Sequence, residues 1–151
     1  MSDTDRIEKS IYLKAPRAKV WTALTDAEQF GTWFGVKMAG PFKAGTPVHG
    51  RITIKNYDHI QGDWHIERID PQTLFSYRWH PYAVDPTYDY SRDPMTLVEF
   101  RLEDEADGTR LTVVESGFDA LPIGRRAEAY RSNDGGWRGQ TENIRKYVEA
   151  Q

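Results

Sequence analysis

Two hydrophobic periods follow one another along this chain, and their order constrains the fold more than any single motif. From Gly35 to Gly117, apolar residues recur at every second position in short runs separated by turn signals. From Leu121 to Ala150 they recur at helical spacing in one long run. A two-residue period places alternate side chains on opposite faces of a strand, so the first region predicts a series of half-buried strands. The second predicts one long amphipathic helix.

The strands can be placed individually. Before the two regions, Arg6–Leu13 alternates, with Ile7, Ile11 and Leu13 on one face, Glu8, Ser10 and Tyr12 on the other, and Lys9 as the exception. Pro16 suits a first helical turn, and Val20, Trp21 and Leu24 follow at helical spacing. Thr25-Asp26-Ala27-Glu28 fits a capping box, in which Thr25 caps a second helix and Glu28 bonds back. Gly31 and Gly35 keep that helix short. Val48, Gly50, Ile52 and Ile54 then alternate with His49, Arg51, Thr53 and Lys55. Trp64, Ile66 and Ile69 mark the next strand, their uneven spacing predicting a bulge near Arg68. Phe75, Tyr77 and Trp79 alternate without a break, as do Val98, Phe100 and Leu102. Asp107-Gly108 signals a hairpin, and Leu111, Val113 and Glu115 form one face of the last strand.

Six strands after the helices, the five placed above and one more that completes the count, predict by their close spacing an antiparallel meander. A sheet with one apolar face needs a cover, and only the C-terminal helix is long enough, roughly 40 Å at about 1.5 Å per residue. Tyr130, Trp137, Thr141, Ile144 and Val148 give it an apolar stripe. Gly135-Gly136 lies inside it and predicts either a break or kink, or a backbone passing close by. The expected class is α+β: a curved seven-stranded antiparallel sheet around a long C-terminal helix, with two short helices between strands 1 and 2. The 151 residues suit one domain, 1–151, with 1–5 as a loose tail.

Composition narrows the function. A net charge of −3 provides no global basic field for nucleic acid or an anionic membrane. The chain has no cysteine, which excludes a thiolate nucleophile, an iron–sulfur cluster and a sulfur-ligated zinc site. A polar N-terminus and the lack of a long apolar run point to a cytoplasmic protein with no membrane partner. There is no P-loop, dinucleotide fingerprint or G-x-S-x-G elbow, and no cofactor is expected. Asp58, His59, Asp63 and His65 make at most a crude metal cluster, which turn and strand exposure explains more cheaply.

Several segments together resemble a known family. They are Ala15-Pro16-Arg17-Ala18-Lys19-Val20-Trp21-Thr22-Ala23-Leu24-Thr25, Trp33-Phe34, Leu74 through Trp79, Gly108-Thr109-Arg110-Leu111-Thr112-Val113, Gly117-Phe118 and Asn133-Asp134-Gly135-Gly136-Trp137. In order and spacing they resemble the START-like helix-grip superfamily (SRPBCC), in the branch named for the activator of heat-shock protein 90 ATPase. The resemblance covers about Ile7 to Glu149. It implies a helix-grip fold with a cavity between sheet and helix. It does not imply a reaction, because members bind lipids, hormones, polyketides or chaperones. Pro81–Pro94 departs from the family in being longer than usual, at the cavity entrance.

The residues themselves offer a site. Phe75, Tyr77 and Trp79, with Trp64, Phe100 and Trp137, are placed to wall the space under the helix. Glu115 shares its face with Leu111 and Val113 and is carried inward, where a carboxylate is costly unless paired or protonated. Tyr77 and Trp79 are candidate donors to it, and so is Arg78 if the register slips. Two readings follow: an apolar cavity with Glu115 as polar anchor, or a filled core whose Glu115 is satisfied by Trp or Tyr donors. Trp33 and Phe34 either stand at the mouth, Trp33 as gate, or close the core. Tyr82, Tyr88 and Tyr90 are candidate lid residues on the 81–94 loop; they also suit a protein contact. Arg125, Arg126 and Arg131 read as a solvated basic face.

The expected function is binding of a small hydrophobic or aromatic molecule. An alternative, implied by the resemblance, is an interaction protein modulating a heat-shock protein 90 ATPase, with a chaperone as partner. A second alternative is a cyclase- or hydrolase-type enzyme using Glu115 as acid or base. No nucleophile–base pair is present to support that, and no catalytic residue is assigned.

Overall fold

The computed structural model describes residues 5–150. Strand β1 spans Arg6–Leu13, helix α1 Arg17–Thr25 and helix α2 Ala27–Phe34. Strands β2 (Val36–Met38), β3 (Pro47–Ile52), β4 (Gln61–Asp70), β5 (Leu74–Trp79), β6 (Thr96–Glu105) and β7 (Gly108–Ser116) follow, and helix α3 runs over Ile123–Glu149. The seven strands form one antiparallel sheet in the order β1-β7-β6-β5-β4-β3-β2. The predicted α+β class, strand number, helix placement and long terminal helix are all present.

Local details differ from the sequence expectation in instructive ways. Asp5 is not loose: its carbonyl accepts from the Gly117 and Phe118 amides at 3.0 and 3.2 Å. Residues 1–4 of the expected tail lie outside the described residues. The cap of α2 is Asp26, whose carboxylate accepts from the Gln29 amide at 3.0 Å. Thr25 instead closes α1, its hydroxyl donating to the Trp21 carbonyl at 2.8 Å. Both are cap-capable residues, and the earlier one was needed by the earlier helix. Gly35 ends α2 at φ +88°, a left-handed cap that favours glycine. The β4 bulge falls between Ile66 and Arg68 as predicted. Ile54 lies beyond β3 and is exposed.

Gly135-Gly136 produces neither outcome expected of it. Helix α3 continues unbroken through both, and a Cβ added at either would meet nothing within 4 Å. Burial of Ala129, Trp137, Thr141, Ile144 and Val148 on the sheet side holds the helix across them. Among the described residues, no helix is long and apolar enough to cross a membrane.

Strand register decides which side chains face α3. Tyr77 on β5 pairs with Val98 on β6, Val98 with Glu115 on β7, and Glu115 with Ile7 on β1. These four lie in one row on the inner face, and each is almost wholly shielded from solvent. Phe75, Phe100 and Val113 form the next row, also buried. The alternation read from the sequence therefore places a carboxylate in the middle of an otherwise apolar face.

Candidate functional site

Glu115 is fully buried, with 0% exposure, and among the described residues no cation pairs with it. Four neutral donors surround it instead. The Trp79 indole N–H, at the end of β5, reaches Oε2 at 2.8 Å, and the Thr96 hydroxyl, at the start of β6, reaches the same oxygen at 2.5 Å. From α3, Asn133 Nδ2 donates to Oε1 at 2.9 Å and Trp137 Nε1 to Oε1 at 2.8 Å. Asn133 and Trp137 are one helical turn apart, which brings both to one face of α3. Each carboxyl oxygen thus has two partners, one pair supplied by the sheet and the other by the helix.

This geometry accommodates either protonation state. Indole and amide N–H groups can only donate, so three contacts require Glu115 as acceptor. Thr96 is different: it donates to a carboxylate, or accepts the proton of the neutral acid. Burial, the largest influence, raises the Glu115 pKa above its ordinary value, while the four donors pull it back. The four contacts are therefore compatible with either protonation state of the carboxyl.

The rings meant to wall a hollow touch one another. Trp79 lies 5.3 Å, centroid to centroid, from both Trp64 and Tyr77, and 5.9 Å from Trp137. Phe100 is 5.7 Å from Trp137 and 6.0 Å from Phe75. The remaining space is taken by rings that were not assigned to the wall. Phe34 lies about equally far, 6.0–6.1 Å, from Trp64, Trp79 and Trp137, and Phe30 and Phe42 fill the Phe75 end. An open depression of about 640 Å³ exists elsewhere, between α2, β2 and the 39–42 segment, and includes none of the predicted ligand residues.

The other predicted residues separate into groups. Trp33 closes the core: it is buried, and its indole donates to the Ala23 carbonyl at 2.8 Å. Arg78 points outward to Glu67 at 3.1 Å and does not reach Glu115. Tyr77 faces inward but, among the described residues, its hydroxyl has no hydrogen-bond partner, and the buried Trp64 indole N–H has none either. Tyr82, Tyr88 and Tyr90 gather at the start of α3 around Arg125, which is not the solvated arginine expected. Its guanidinium pairs with Asp93 at 3.0 Å, both side chains being largely buried. It also donates to the Pro81 and Tyr82 carbonyls and lies over the Tyr88 and Tyr90 rings, 5.7 and 4.7 Å from their centroids. Tyr82 donates to Glu128 on α3 at 3.0 Å and Tyr88 to Asp93 at 2.9 Å. The 81–94 loop is thereby tied to α3 beside the Glu115 end of the interior. Arg126 bonds the Leu121 carbonyl, and Arg131 is exposed.

Sequence reasoning missed Thr96, Asn133 and the Arg125–Asp93 pair. Asn133 had a legible signal, since it lies four residues before Trp137. Thr96 follows an aperiodic loop and had none. Among the described residues, no group of three or more His, Asp or Glu side chains is arranged to hold a metal. His49 binds Asp63 at 3.0 Å and Gln61 at 2.8 Å instead.

Comparison with known proteins places the chain. Residues 14–149 match the family model described as activator of Hsp90 ATPase homolog 1-like protein. The chain belongs to this family. Its fold recurs in solved structures of low sequence identity. Protein MLL2253 from Mesorhizobium loti is 21% identical with a TM-score of 0.76, over 97% of this chain and 98% of that one. The Aha1 dimer from Colwellia psychrerythraea is 15% identical with a TM-score of 0.70, over 95% and 96%. DynU16, from the dynemicin biosynthetic locus, is 23% identical with a TM-score of 0.73 over 96% of this chain. The chain spans about half the length of DynU16, 47%. At these identities the likeness establishes the fold alone. No curated protein sequence matches.

Proposed function

We propose that this protein binds a small hydrophobic or aromatic molecule between the sheet and α3, with Glu115 as its polar anchor. The observation that carries this reading is a fully buried carboxyl, without a cation, on an apolar face. An isolated buried carboxylate is expensive, and a purely structural core is more cheaply built from apolar side chains. Donors from two strands and a helix converge on Glu115, so the fold spends three elements on keeping a polar group at this position.

The guest enters by displacing rings. Trp79 is half-buried at the end of β5, and Phe34 is the last residue of α2, so both stand at element ends where a small backbone shift moves a large side chain. Binding is driven by apolar area, at about 25 cal/mol per Å², less the cost of ordering. The Arg125-bound loop forms the rim and serves as the lid. Natively extracted protein, analysed by mass spectrometry under non-denaturing conditions, should carry a small apolar molecule that Glu115→Gln protein loses. Wild-type protein that carries no such molecule, and takes up none of a panel of aromatic metabolites, would contradict the reading.

Membership of the family keeps the chaperone reading testable. Absence of binding to heat-shock protein 90 and of ATPase stimulation would retire it. Unchanged turnover in Glu115→Gln of any activity found would retire an enzymatic role for that residue.

A further inference from the structure

Tyr77 and Trp64 carry the other polar atoms of the inner wall. Their strands are adjacent, β4 with β5, and their ring centroids lie 6.2 Å apart. Tyr77 is 0% exposed and Trp64 4%. Among the described residues, neither the Tyr77 hydroxyl nor the Trp64 indole nitrogen has a hydrogen-bond partner. The indole is nonetheless close enough to act on the hydroxyl, and so is the charge of Glu115. A buried polar group left unmade is a liability, and here two stand together.

The chemistry of the pair says what is missing. An indole N–H can only donate. Even a direct contact between the two would leave the Tyr77 proton without an acceptor. Glu115 does not accept it, because each of its oxygens already meets two other donors. Burial, and then the nearby Glu115, holds the Tyr77 pKa well above its ordinary value, so the phenol keeps its proton. Among the described residues, no acceptor thus takes the Tyr77 proton, and the oxygen near the Trp64 N–H is the phenol's own, outside hydrogen-bond geometry.

We infer that Trp64 and Tyr77 form a second polar contact of the binding site, which receives an acceptor oxygen of the guest while Glu115, on releasing one of its four neutral donors, holds another part of it. This rests on the proposed binding function and specifies its ligand class: an apolar molecule carrying a hydrogen-bond-accepting oxygen, such as a carbonyl or ether, and not a plain hydrocarbon. Tyr77 and Trp64 then determine specificity, whereas the surrounding rings supply affinity without discriminating between such molecules.

A matched pair of probes tests this: 2-acetylnaphthalene and 2-isopropenylnaphthalene, which have nearly the same shape and differ by C=O against C=CH2. Dissociation constants are measured by tryptophan fluorescence for wild type, Tyr77→Phe and Trp64→Phe, with the fold checked by circular dichroism. In Tyr77→Phe, which removes only the hydroxyl, the ketone-to-alkene affinity ratio should fall about fivefold to tenfold, the value of one hydrogen bond. The alkene's own affinity should be nearly unchanged, and the empty variant should be as stable as wild type or more so. Trp64→Phe should lower the ratio similarly. Should both probes bind with a ratio that Tyr77→Phe leaves unmoved, the second contact is refuted while the binding function stands. Should Tyr77→Phe also destabilise the empty protein, a resident water is the acceptor, and the inference again fails. If neither probe binds wild type at its solubility limit, the proposed function fails and takes this inference with it.

Discussion

Glu115 and Asp93 are both carboxylates buried against α3, yet the protein treats them in opposite ways. Asp93 has a cation: its side chain is 6% exposed and faces the Arg125 guanidinium at 3.0 Å. Glu115 has none, only two indoles, an amide and a hydroxyl. An ion pair fixes one geometry, which suits a rivet holding the 81–94 loop to the helix. A carboxyl among neutral donors keeps its proton exchangeable and its partners replaceable, which suits a site. Neighbouring parts of one interior thus use the same chemical group for fastening in one place and, on the proposed reading, for recognition in the other.

The comparison breaks most visibly at Glu115. Glu115→Leu strands four donors, among them the Trp137 indole, which is buried away from solvent. Loss of about 3–5 kcal/mol in urea-induced unfolding is expected; a loss below 1 kcal/mol would show the cluster to be dispensable. Arg125→Ala leaves Asp93 buried without its cation and releases two loop carbonyls. About 2–3 kcal/mol should go, with faster amide hydrogen exchange confined to residues 81–94. Exchange rising equally across the sheet would mean that Arg125 supports the whole fold and not the loop.

The pH dependence of stability tests Glu115 more finely. The folded-state pKa of Glu115 lies above its ordinary value of 4.5, chiefly through burial. A raised carboxyl contributes stability that is complete below the unfolded value and is lost as pH rises through the folded one. Wild type should therefore lose stability relative to Glu115→Gln on going from below pH 4.5 towards neutrality. The comparison with Gln cancels the exposed acids, such as Asp85 and Asp89, whose lowered values act in the opposite sense. A difference that grows in favour of wild type with rising pH would mean that the four donors outweigh desolvation. Smallest of all, Gly136→Ala should stabilise α3 by about 0.5–1 kcal/mol, since the helix is unbroken there and the added Cβ meets open space. Destabilisation in thermal unfolding would reveal a close neighbour.

How much of this was legible in the sequence follows the same division. Alternation along Leu111, Val113 and Glu115 placed the carboxyl on the inner face, and the register of β5, β6 and β7 bears that out. Alternation also turned Phe75 and Tyr77 inward. Arg125 could not be found that way, because its partners lie 32 to 44 positions away, on a loop with no period. Periodicity reports which way a ring points, not how many rings share a volume. Phe30, Phe34 and Phe42 come from a short helix and a connecting segment, and they occupy the space that the strand pattern alone leaves open. Gly135-Gly136 shows the converse: local cost predicted a disturbance, and burial along the sheet side of α3 overrode it.

Indole N–H resonances provide the most direct test of a guest beneath α3. The chain has five tryptophans, of which Trp64, Trp79 and Trp137 lie in the proposed site, while Trp21 and Trp33 lie on the short helices. In a two-dimensional 1H–15N spectrum titrated with 2-acetylnaphthalene, the Trp64, Trp79 and Trp137 indole signals should shift to saturation while that of Trp21, on α1, stays in place. All five remaining unmoved, or all five moving together without saturating, would contradict a binding site between the sheet and the long helix.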